Sequence, residues 1–201
     1  MKSLRRLSLL ALWPQAAMAH GSLPGGGGFY AGLSHPFLAW EHLILLIGLG
    51  LLVGQRGRIA GHPPLAALTV GLVTGLILGT GTLNSPFVVP ILLLSILCGA
   101  LLVLAWRAPT LVLAGLALVV GMSVGYDTGM PVAASPAFAD IVMPYIGLTV
   151  GVMLAVLNSM ALSSVADGFV ARIGLRIAGS WIIAATAMVL ALRLGDVGGV
   201  S

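Results

Sequence analysis

The sequence predicts an all-α integral membrane bundle of six transmembrane helices behind a cleavable signal peptide. Three observations carry that reading. Of 201 residues, 59% are hydrophobic and 7% charged, against about 25% charge in an ordinary soluble domain, and the mean hydropathy is +1.14. The apolar residues fall into six blocks, at 36–54, 64–83, 87–106, 109–126, 140–163 and 173–193, each near the roughly 17–25 residues a helix needs to cross the hydrocarbon core. The blocks are apolar all round, without the alternating polarity of barrel strands, so helices are the spanning structure that satisfies their backbone.

Residues 1–19 have the three parts of a secretory signal: basic Lys2, Arg5 and Arg6, an apolar stretch at 7–13, and Ala17-Met18-Ala19 as a small-residue cleavage site. Cleavage there leaves His20 as the mature amino terminus, where one residue offers both an amine and an imidazole to a metal. A glycine-rich segment (20–35) follows on the periplasmic side, then the six-helix domain (36–194) and a short tail (195–201). With the mature amino terminus outside, Arg56, Arg58, Arg107, Arg172 and Arg176 all fall in cytoplasmic loops, and only Arg193 lies near an external end. The chain therefore reads as a multi-pass membrane protein with its mature amino terminus outside and the lipid bilayer as its solvent.

The formal charge of +4 comes from nine basic residues scattered one or two at a time, which excludes a nucleic-acid surface. The external side instead carries Asp127 and Asp140, flanking a loop at 126–140 that has no basic residue. That polarity suits capture of a cation. One cysteine, Cys98, sits mid-span and reads as a small packed side chain, so neither a disulfide nor a thiolate metal site is available. Glycines recur at four-residue spacing (Gly50 and Gly54; Gly71, Gly75 and Gly79; Gly121, Gly125 and Gly129; Gly147 and Gly151), about one helical turn, which predicts faces of close helix packing. The alternative is that some of them give room along a translocation path. Such faces also suit a homo-oligomer or a larger membrane complex.

The start of the first span holds the candidate site. Ser34 is a suitable cap and Pro36 a suitable first-turn residue, which places His35 at the membrane surface. Glu41 and His42 then follow about 7–9 Å deeper at 1.5 Å per residue. In a regular helix His35 and His42 stand about 10 Å apart along the axis and cannot share one ion. Either the first turn unwinds to fold His35 inward, or His35 hands an ion to Glu41 and His42. Imidazole nitrogen and carboxylate oxygen without thiolate favour divalent first-row metals such as nickel, cobalt, copper or zinc. Asp127, ending the fourth span on the same side, is placed to complete a site across the bundle. The plainer alternative is a Glu41–His42 pair satisfied inside the bundle.

The stretch 25–54, GGGGFYAGLSHPFLAWEHLILLIGLGLLVG, resembles the HupE/UreJ family, membrane proteins of hydrogenase and urease systems regarded as nickel or cobalt permeases. His35 and His42 match the family's first-helix motif, and Glu41 stands where aspartate is usual. The resemblance implies a cleaved signal, a mature end near histidine and capture of a divalent metal outside. Further along, the family's HGxxHGxE pattern is replaced by Gly121-Met122-Ser123-Val124-Gly125-Tyr126-Asp127, with Asp127 in place of the acid and both histidines absent. The family's leucine-histidine pair in the fifth helix becomes Leu157-Asn158, and its third-span glutamate has no counterpart between Pro86 and Trp106.

The leading expectation is thus a permease for a divalent transition metal, nickel or cobalt, with His35, Glu41, His42, Asp127 and His20 as candidate ligands and no tightly bound cofactor. The alternatives are a non-transporting assembly subunit on the same scaffold and a copper importer using Met122, Met130 and Met143, since thioethers prefer soft ions. No phosphate-binding glycine loop, HExxH zinc motif or serine nucleophile setting occurs in the sequence, so an enzyme is not expected.

Overall fold

The computed structural model describes residues 28–57, 61–79, 87–129, 138–165 and 168–198. The predicted signal peptide, His20, Arg58 and Met130 lie outside the described residues. Among those described there are seven helices: α1 (Gly28–Leu38), α2 (Trp40–Gly54), α3 (His62–Gly79), α4 (Val88–Val103), α5 (Thr110–Thr128), α6 (Phe138–Ser164) and α7 (Phe169–Gly198).

Four of these, α3, α5, α6 and α7, are long and apolar enough to cross a membrane unaided, and α1 with α2 makes a fifth passage bent by 75° at its break. With 16 residues, α4 is the short apolar helix of the set. The predicted all-α, multi-pass architecture is therefore present, and the largest departure lies at the first span. Its expected single helix from Pro36 is two helices. Pro36 falls in the last turns of α1 rather than the first turn of a span, where its missing N–H leaves the carbonyl one turn back without a helical donor. The chain leaves helical geometry at Ala39 (φ −82°, ψ 92°) before α2 begins. Ser34 does not cap; its hydroxyl donates to the Ala31 carbonyl within α1.

The four-residue glycine series are the seams that hold the helices together. Gly71, Gly75 and Gly79 of α3 lie against the backbone of Leu118, Met122 and Tyr126 in α5, and Gly121 and Gly125 of α5 lie against Leu68 and Leu72 of α3. A second seam joins α4 to α7 at Gly99 and Gly179, each facing the other's carbonyl. The third runs along α6: Gly28 and Gly32 of α1 meet Pro144, Pro36 meets Gly151, and further down Gly50 and Gly54 of α2 meet Ser159 and Ser163. Backbones approach this closely only where no Cβ intervenes, which is how membrane helices associate without a hydrophobic drive.

Ten of the fifteen residues of α2 are buried, which makes it the central helix. Leu45, Leu46 and Leu49 of α2, Leu68 and Leu72 of α3, Ile91 of α4 and Leu148 of α6 form the middle of the core. By contrast α7 exposes Phe169, Val170, Trp181, Met188 and Leu192, an outer face suited to lipid. The alternation of helices puts Arg56, Arg107, Arg172 and Arg176 at one end of the bundle and Glu41, Asp127 and Arg193 at the other.

Candidate functional site

The break at Ala39 places the last turn of α1 beside the first turn of α2. His35 and His42, which a straight helix would hold apart, have ring centroids 5.5 Å apart with planes inclined at 51°. The single straight helix assumed for this pair is replaced by two, with His35 in α1 and His42 in α2. His42 is 2% exposed, and its Nε2 lies 2.9 Å from Oδ2 of Asp127 in the last turn of α5. Its other nitrogen, Nδ1, is buried and has no hydrogen-bond partner among the described residues. A buried polar atom left without a partner costs free energy, so this imidazole nitrogen is a local cost that the packing of α2 carries.

Helix ends add to the local field. His35 lies in the last turn of α1 and Asp127 in the last turn of α5, helix ends that each carry about half a negative charge. Together with the Asp127 carboxylate, the balance favours a cation.

Glu41 is directed elsewhere. Adjacent residues on a helix point about 100° apart, and while His42 faces inward to α5, Glu41 faces α7, where its Oε1 is 3.4 Å from Nη2 of Arg193. The expected His35–Glu41–His42 group is therefore not assembled. Among the described residues no group of three or more His, Cys, Asp or Glu side chains is arranged to hold a metal ion. What stands together is a pair of imidazoles with an orienting carboxylate, and a second carboxylate close by on an arginine.

The HupE / UreJ protein family matches residues 8–190. The chain belongs to the HupE/UreJ family. This is a family of non-catalytic membrane permeases, so the HupE/UreJ chain described here is not an enzyme. No curated protein and no solved structure matches it.

The departures of this HupE/UreJ member from the family pattern have a structural counterpart. In the 121–127 stretch, Gly121, Met122, Gly125 and Tyr126 form the α5 seam against α3, and Tyr126 stacks on Phe87 with centroids 4.4 Å apart. Asp127 is the residue of that stretch that turns to His42. Asn158, where the family resemblance leads one to expect histidine, is exposed and donates to the Leu154 carbonyl of its own helix. Met143 is 44% exposed on α6, and Met122 takes part in the α3 seam. The side chain of Asp140 is outside the described residues.

Three contacts have no local sequence signal. They are the Glu41–Arg193 pair, the Ser163 hydroxyl donating to the Leu51 carbonyl at 2.8 Å, and Arg176 Nε donating to the Val103 carbonyl at the end of α4, also at 2.8 Å. Each joins residues far apart in the chain, so only the shared end or depth of two helices was legible beforehand.

Proposed function

We propose that this HupE/UreJ permease passes a divalent transition-metal cation, nickel or cobalt, and that His42 Nδ1 and His35 receive it at the end of the bundle that carries Asp127. The observation that carries the reading is the buried, partnerless Nδ1 of His42 beside the His35 ring. Asp127 on Nε2 is the outer partner that a metal-ligating histidine ordinarily has: it holds the proton on that nitrogen, fixes the tautomer and leaves the lone pair of Nδ1 to the metal. Two imidazoles make a labile nitrogen site, suited to borderline divalent ions and open enough for release. His20, as a free amino terminus after cleavage, serves as an additional outer ligand.

The orientation follows from the arginines. The positions of Arg56, Arg107, Arg172 and Arg176 at the opposite end support, through the positive-inside rule, a reading in which the His42 end faces the periplasm of a bacterial inner membrane. In this reading α4 is the sixth span. Its 16 residues reach about 24 Å, and the helix closes in a turn at Leu104 and Ala105, where Trp106 N–H donates back to the Leu101 carbonyl.

The test is uptake of radioactive nickel and cobalt, ion by ion, in cells lacking their own importers. Wild-type chain is expected to restore uptake, and His42→Ala or His35→Ala to abolish most of it at equal membrane abundance. The two imidazoles serve one ion, so the double variant is expected to be no worse than the more severe single one, as for contacting residues. Unchanged accumulation in both single variants would remove the reading.

A second reading is an assembly subunit on the same scaffold, favoured by the missing three-ligand group among the described residues. Purified chain in liposomes separates the two: a permease moves nickel alone, and a subunit moves none.

A further inference from the structure

We propose that Arg193 is a positioning residue that makes Glu41 a conditional ligand. It draws the carboxylate toward α7 and yields it when a divalent cation arrives. The inference rests on the permease reading above and concerns how tightly that site closes.

Glu41 immediately precedes His42 in the first turn of α2, within reach of the same ion once its three side-chain torsions rotate. Its side chain is 17% exposed and that of Arg193 52%, at a separation of 3.4 Å. At 3.4 Å, with the guanidinium half exposed, the pair is loosely held, and a loose pair is one that a stronger charge can divide. A divalent cation between His35 and His42 attracts the carboxylate and repels the guanidinium, so both forces act to open the pair. Glu41 then supplies the oxygen that raises two imidazoles to three ligands, the number that no group reaches among the described residues. When the ion leaves, Arg193 recovers Glu41.

The arrangement answers a problem any carrier faces. A permanent third ligand would deepen binding and slow release, because closed ligand sets retain their metal. Arg193 is already placed to compete, near the end of α7. Loss of Arg193 should tighten the site and slow its turnover.

The experiment measures nickel uptake kinetics by the full chain in importer-deficient cells, normalised to membrane abundance, with nickel binding to the detergent-purified protein by equilibrium dialysis. For Arg193→Gln we expect a KM lower by about three- to fivefold, the scale of one exposed ion pair, with a lower maximal rate. Arg193→Lys, which keeps the charge, should restore most of the wild-type KM. Glu41→Gln should raise KM, and the Glu41→Gln/Arg193→Gln double variant should match Glu41→Gln alone. An unchanged KM and dissociation constant in Arg193→Gln would overturn the proposal. So would an equal tightening in the Glu41→Gln background, which would mean that Arg193 acts on the cation directly. If Arg193→Gln does not accumulate, Arg193→Met retains the apolar stem and gives the same reading. Failure of the wild-type chain to move nickel at all would strike the permease reading instead.

Discussion

The His42 imidazole and the Asp127 carboxylate, on α2 and α5, meet at 2.9 Å inside the bundle, where the ring is 2% exposed. Each side chain resolves a difficulty of the other. Asp127 is a carboxylate in the last turn of its own helix, the end where a negative charge is disfavoured, and His42 offers it a proton. His42 is a polar ring in an apolar core, and Asp127 gives one of its nitrogens a partner. The pairing engages Nε2, and the proposed function gives the other nitrogen to the metal.

That division predicts a graded response at position 127. Asp127→Asn keeps an oxygen able to accept from Nε2 and should weaken nickel binding by about tenfold, whereas Asp127→Ala removes it and should cost about a hundredfold, the range seen for outer partners of metal-bound histidines. Equilibrium dialysis on purified protein reads both. If the two variants bind alike and like wild type, Asp127 does not orient His42.

Much of this arrangement was legible in the sequence because membrane chains have few ways to be polar. With so few ionisable residues, Glu41, His42 and Asp127 stood out, and the alternation of spans put Asp127 at the same end as His42. The glycine spacing announced faces of close approach on α3 and α5, since one turn per glycine defines a face, but not that these two helices meet. The helix α1 was not legible. Gly28, Gly32 and Pro36 are poor helix formers by local propensity, and docking on Gly147 and Gly151 of α6 overrides that preference. The break at Ala39 leaves no local mark either; the nearest breaker is Pro36, a turn earlier. The direction of Glu41 followed from that break, so its partner Arg193 was placed only as far as the right end of α7.

The glycine seams predict a sharp contrast between positions. A Cβ at Gly75 would press on the Met122 carbonyl and the Tyr126 amide, whereas one at Gly115 or Gly174 would meet nothing within 4 Å. Gly75→Ala should therefore destabilise the bundle by about 1–3 kcal/mol, as overpacking does. Gly115→Ala and Gly174→Ala should be neutral or stabilise by up to about 0.5–1 kcal/mol through helix propensity. Unfolding in mixed detergent measures all three. Equal losses at Gly75 and Gly115 would mean that α3 and α5 are not joined along this face.

Ser163 offers a way to separate hydrogen bonding from fit at the α2–α6 seam. Its hydroxyl donates to the Leu51 carbonyl, which already accepts from the Gln55 amide, so removing the hydroxyl leaves no acceptor orphaned. Ser163→Ala should then cost only about 0.6 kcal/mol, the average for such a bond between membrane helices. The Cβ of Ser163 is also what a side chain at Gly54 would strike, at 2.8 Å, so the space there is already full. Ser163→Val adds volume at that point and should cost about 1–3 kcal/mol, with reduced membrane abundance. A valine variant as stable as the alanine variant would show that α2 and α6 are held apart at this depth.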